Sequence, residues 1–149
     1  MPRRPYLILL APLALAGCGF GAVEVEPYDV LPGADRACTS LLGDLPEVVS
    51  DAVTRDVEPA ELPAAAWGQP PIVLRCGVGL PPEYRPDAIL TEIDGVAWFP
   101  AEGAGGMFFA TVDRDPIVEV AVPDDYDPAT VLGDLGPSIA ANVPLRQPR

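Results

Sequence analysis

The sequence predicts an α+β domain: a mainly antiparallel sheet of four to five strands with two helical segments packed on one face. Three observations lead there. Short apolar runs recur between clusters of Pro, Gly and Asp, so strands are short and turns frequent. The later runs lie too close together for crossover helices, which calls for antiparallel pairing. Two stretches, one around Cys38 and one around Val131, carry apolar residues at helical spacing.

The elements follow in chain order. Met1-Pro-Arg-Arg-Pro5 is positively charged, Tyr6 to Ala14 is apolar, and small residues precede Cys18. That run is too short for a structural membrane span and reads as a secretory leader. Leu15-Ala-Gly-Cys18 resembles the lipobox of bacterial lipoproteins. The resemblance implies cleavage after residue 17, lipid on Cys18, and a membrane-anchored chain on the extracytoplasmic face. Two or more acyl chains hold a protein stably, since each buried methylene contributes about 0.8 kcal/mol. Residues 18–35 read as a flexible tether, although Val23 and Val25 alternate with Glu24 and Glu26 and also suit a short edge strand.

Residues 36–53 carry a helical stripe at Cys38, Leu41, Leu42 and Leu45, continued by Val48, Val49 and Ala52. Pro46 either starts a second helical turn or kinks the first. Residues 57–66 read as loop, closed by Trp67. Ile72-Val-Leu74 begins after two prolines and is apolar throughout, as expected of a central strand buried on both faces. Residues 89–99 form two strand pieces about Asp94-Gly95, the strongest turn signal in the chain. Residues 107–112 form a strand, Asp113-Arg-Asp-Pro116 turns it, and Ile117 to Val122 runs back. In that last strand Val118, Val120 and Val122 share one face, and Ile117, Glu119 and Ala121 the other. Asp127 caps a final helix with Pro128 in its first turn. Val131, Leu132, Leu135 and Ile139 form its stripe, and Gly136-Pro137 is expected to break or kink it. Residues 144–149 read as a disordered tail, leaving residues 36–143 as the single domain.

Composition narrows the function classes. The chain has 149 residues, enough for one domain, and 49% hydrophobic content, enough for a core. Nine basic residues face 22 acidic ones. Without Arg3 and Arg4 of the leader the balance is 7 against 22, a net charge of −15. Such a surface repels phosphate backbones, so no nucleic-acid partner is expected. There is no His, which removes Ser-His-Asp and Cys-His machinery and histidine metal sites. Gly136-Pro-Ser138 resembles a nucleophile elbow but follows a helix and has no histidine. Asp124, Asp125 and Asp127 lack calcium-loop spacing and read as capping and turn residues. No metal, cofactor or catalytic residue is expected.

Once Cys18 carries lipid, Cys38 and Cys76 remain as an even pair, and in an exported chain that pair reads as a disulfide. Closing a loop of about 39 residues contributes roughly 4 kcal/mol on the loop-entropy model. Candidate binding residues are Trp67, Arg75, Trp98 and Arg114, each weighed against a core or salt-bridge role.

Trp67-Gly-x-Pro-Pro-Ile-Val-Leu-Arg-Cys-Gly77, Asp94-Gly-Val-Ala-Trp98, Thr111-Val-Asp-Arg114 and Val118-Glu-Val-Ala-Val-Pro123 resemble DUF3515, a family of uncharacterised actinobacterial lipoproteins. The resemblance spans residues 36–143. It implies an exported, lipid-anchored actinobacterial envelope protein and brings no activity with it. The sequence is accordingly read as a non-catalytic binding or accessory module with an envelope protein partner. The alternatives are a small-molecule or glycan sensor and a hydrolase that uses carboxylates alone.

Overall fold

A computed structural model describes residue 1 and residues 20–147; Cys18 and the stretch after Met1 that is read as a leader lie outside the described residues. The elements run β1 (Val23–Glu24), α1 (Asp35–Asp44), β2 (Val48–Val49), β3 (Ala52–Arg55), β4 (Val57–Glu58), β5 (Ala64–Trp67), β6 (Ile72–Val78), β7 (Thr91–Ile93), β8 (Val96–Gly103), β9 (Gly106–Ala110), β10 (Ile117–Pro123) and α2 (Pro128–Asn142). The class is α+β as expected, but the main sheet has eight strands rather than four or five, in the order β2-β3-β5-β6-β10-β9-β8-β7. Every neighbouring pair in it is antiparallel. The additional strands are short, and β5 is Ala64-Ala-Ala-Trp67, with no β-branched residue to announce it.

The chain leaves β6 at the sheet centre, crosses to the far edge at β7, and returns through β8 and β9 to lay β10 beside β6. Both helices cover one face. Their core includes Trp67, Leu74, Cys76, Trp98, Val120 and Leu135. The other face is covered too, by segments without helices. Residues 79–90 lay Tyr84 and Leu90 on Phe99 and Ile117. The N-terminal segment lays Val23 and Val25 on Ala66. Two covered faces explain why Ile72-Val-Leu74 is apolar without alternation.

Within residues 18–35, read as a tether, Val23, Val25 and Ala34 are therefore buried in the domain. β1 pairs in parallel with β4, and Leu31 N–H donates to the Gly77 carbonyl at 2.9 Å. The segment has too little local periodicity to reveal contacts made with residues far along the chain. The tail also differs from expectation as far as residue 147. Asp115 N–H donates to the Pro144 carbonyl and Arg146 N–H to that of Asp113.

The first helix is shorter than its stripe. Leu45 precedes Pro46 and is extended at ψ 144, so α1 stops at Asp44. Val48, Val49 and Ala52 instead enter the β2–β3 hairpin, turned by Ser50 and Asp51 at φ 49 and 64. Conversely, α2 runs through Pro137. Pro137 lies on the exposed side, so the missing hydrogen bond falls toward water while the buried stripe continues. Asp127 caps α2 through Thr130 N–H at 2.9 Å. The Thr130 hydroxyl and amide hold its carboxyl below the usual value, so this cap persists above the ordinary carboxylate range and weakens as pH falls below it.

Cys38 on α1 and Cys76 on β6 form the expected disulfide, closing a separation of 38 residues. Gly77 follows at φ +80 and interrupts the ladder: Ile117 pairs with Val78 but Val118 with Cys76. This bulge breaks the alternation and sends Val78 to the face opposite Cys76. A Cβ on Gly77 would sit 2.9 Å from Val30 Cγ1 and 3.0 Å from Ala34 Cβ. Gly77→Ala is expected to destabilise the domain by about 1–3 kcal/mol, from left-handed strain and the lost approach of the N-terminal segment. Urea unfolding of the two proteins measures this; equal midpoints would mean that the bulge is not needed.

Candidate functional site

The four candidate binding residues do not come together. Trp67 is 1% exposed on the helical face, and its Nε1 donates to the Pro46 carbonyl at 2.9 Å. Trp98 is fully buried in the same core. Both are core residues, because the helices cover the face they point toward. Arg114 is 6% exposed at the end of the sheet, and one Nη donates to the Val143 carbonyl just past α2. Arg75 alone of the four lines a groove on the non-helical face.

The ladder places Arg75 on β6 directly opposite Glu119 on β10. Their side chains form an ion pair and are 27% and 15% exposed. Arg75 Nε donates to Glu119 Oε1 at 3.1 Å, and a second guanidinium nitrogen reaches the same oxygen. The guanidinium also lies 5.4 Å from the ring centroid of Tyr28. At these exposures solvent screens much of the attraction. The pair also keeps the partly buried Glu119 carboxylate hydrogen-bonded where little water reaches it.

Arg75 and Glu119 form part of the floor of a groove of about 220 Å³, with Phe99 and Phe108 beside them. Pro81 and Pro82 form a wall, carried there by the crossing from β6 to β7. Tyr84 packs edge-on against Phe99 at 5.4 Å and holds that crossing down. On the other side of the Arg75–Glu119 pair, the Tyr28 hydroxyl reaches the carbonyls of Pro63 at 3.0 Å and Cys76 at 3.2 Å. Burial pushes the Tyr28 phenol above its ordinary value, with the Arg75 charge opposing. It therefore stays protonated, as a donor, across the neutral range.

Tyr28 and Glu119 were not singled out as site residues from the sequence. A signal existed for Glu119. It is the lone charge in its strand, as Arg75 is in Ile72–Val78, and opposite lone charges in two apolar strands suggest a cross-strand pair. Tyr28 carries no such signal. Ser138, of the elbow-like motif, donates to the Asp44 carbonyl at 2.6 Å and ties α2 to the end of α1. Among the described residues no group of three or more His, Cys, Asp or Glu is placed to hold a metal ion.

A raised folded value means that the native state keeps the Tyr28 proton while the unfolded chain loses it. The contribution of the phenol is complete below about 10 and fades as pH climbs through the higher folded value. Stability is thus expected to fall with alkaline pH, and Tyr28→Phe to make that fall shallower. Urea midpoints across the range test this; parallel curves for the two proteins would refute it.

No curated protein and no solved structure matches the chain. A family model, described as "Protein of unknown function (DUF3515)", matches residues 6–148 and so covers the packed N-terminal segment, the bulge and the Arg75 groove. The chain therefore belongs to the DUF3515 family.

Proposed function

We propose that the chain is an exported actinobacterial lipoprotein, anchored through Cys18 to the extracytoplasmic face of a membrane, whose domain binds an envelope protein without catalysis. The observation that carries the reading is the Cys38–Cys76 disulfide, with its cysteines 2% and 0% exposed between α1 and the sheet. Disulfides persist in oxidising compartments. The pair also leaves Cys18 as the one remaining cysteine, directly after an apolar run that ends in a lipobox-like Leu-Ala-Gly.

The size of the Arg75 groove favours a protein partner. About 220 Å³ is below the roughly 300 Å³ at which pockets for drug-sized ligands begin, and it suits a single inserted side chain. The sensor reading called for an exposed Trp67 or Trp98, and both are buried.

Two experiments test the two halves of the proposal. Cells fed labelled palmitate are expected to label the protein, and Cys18→Ala to remove the label; a Cys18→Ala protein that still carried lipid would defeat the anchor reading. For binding, a photo-cross-linking residue replaces exposed Glu83 on the groove rim. One discrete envelope adduct, lost on Glu102→Arg, is expected. A diffuse ladder, or an adduct indifferent to Glu102→Arg, argues against the groove as the contact.

A further inference from the structure

A second groove, of about 640 Å³, opens at the β2–β3 edge of the sheet and includes Phe20, Ala52, Val53, Arg55 and Tyr126 in its lining. Phe20 is 73% exposed and Val53 62%. Val48, 50% exposed, is the cross-strand partner of Val53, so the two project from the same side of the hairpin. Three large apolar side chains thus face water at one edge of the sheet.

Arg55 holds Phe20 and Gly21 against this edge. One Nη donates to the Gly68 carbonyl at 2.8 Å and to Gln69 Oε1 at 2.7 Å. The other donates to the Gly21 carbonyl at 2.6 Å, and the guanidinium sits 5.4 Å from the Phe20 ring centroid. Phe20 lies two positions after Cys18, with only Gly19 between them, a reach of at most about 7 Å. The headgroup layer of one leaflet is roughly 5–8 Å deep. Lipid on Cys18 therefore keeps Phe20 and its neighbours at the level of the headgroups.

We propose that the edge formed by Phe20, Val48 and Val53 rests on the outer leaflet of the membrane that carries the Cys18 lipid. The placement rests on the anchor reading above and goes beyond it. The domain sits directly on the bilayer without a stalk, and the end of the sheet near Arg114 and Leu145 points away. The contact is apolar, because Asp51 and Asp56 also line the groove and repel anionic headgroups. It is expected to be tighter on phosphatidylcholine than on vesicles rich in phosphatidylglycerol.

The test uses the full chain purified from membranes. With Cys18 acylated and Cys38 joined to Cys76, Val53→Cys supplies the sole free thiol for an environment-sensitive dye. Leu145→Cys, at an exposed residue beyond the other end of the seven-residue β6, is the control about 20 Å away. In phosphatidylcholine vesicles containing a lipid-borne quencher, dye at position 53 is expected to be quenched several-fold more than dye at 145, and Phe20→Ser to reduce the difference. One dye per chain, a lipid mass on the N-terminal peptide and equal quenching at both positions would overturn the placement while the anchor stands. Two dyes per chain with no lipid mass would overturn the anchor reading and the placement with it.

Discussion

The junction at Cys76 and Gly77 constrains more of this structure than any other point. Cys76 binds α1 to the centre of the sheet, and the next residue bends the strand through a backbone angle that favours glycine. The bulge opens the space into which Val30 and Ala34 pack, and its carbonyl accepts from Leu31. Helix, central strand and N-terminal segment thus meet within a few residues. A side chain at position 77 would push on the segment that covers the second face.

Covering both faces has a functional consequence. The helical face buries the two tryptophans, the residues most suited by chemistry to grip a ligand. The second face is closed by two unrelated pieces of chain, and the Arg75–Glu119 pair lies between them. The groove there exists because neither the N-terminal segment nor residues 79–90 is wide enough to seal the sheet alone.

The acidic balance sharpens the roles of the few positive charges. Arg55, Arg75 and Arg114 each spend their guanidinium on internal partners: backbone carbonyls for Arg55 and Arg114, and Glu119 for Arg75. A planar fork with several donors can bridge carbonyls on separate segments in a way that an ammonium cannot. These three arginines act as clamps, whereas Arg36, Arg85 and Arg146 are exposed.

Local pattern alone determined the first helix at Cys38 and Leu41, the stripe of α2 and its Asp127–Pro128 start, the facing of Val118, Val120 and Val122, and the buried centre at Ile72-Val-Leu74. It also marked Cys38 and Cys76 as partners once Cys18 was set aside. These are legible because periods of 2 and 3.6 residues, caps and cysteine parity are properties of neighbouring residues. The tertiary structure decided that Val48 to Ala52 turns as a hairpin rather than extending a helix, and that Ala64 to Trp67 is a strand. It also decided that Tyr28 belongs to the domain, and that Arg75 faces Glu119 while Trp67 and Trp98 face the helices. The placing of Tyr28 and the Arg75–Glu119 pairing depend on residues tens of positions apart meeting across the sheet, and in the hairpin and the alanine strand burial and pairing outweigh weak local preferences.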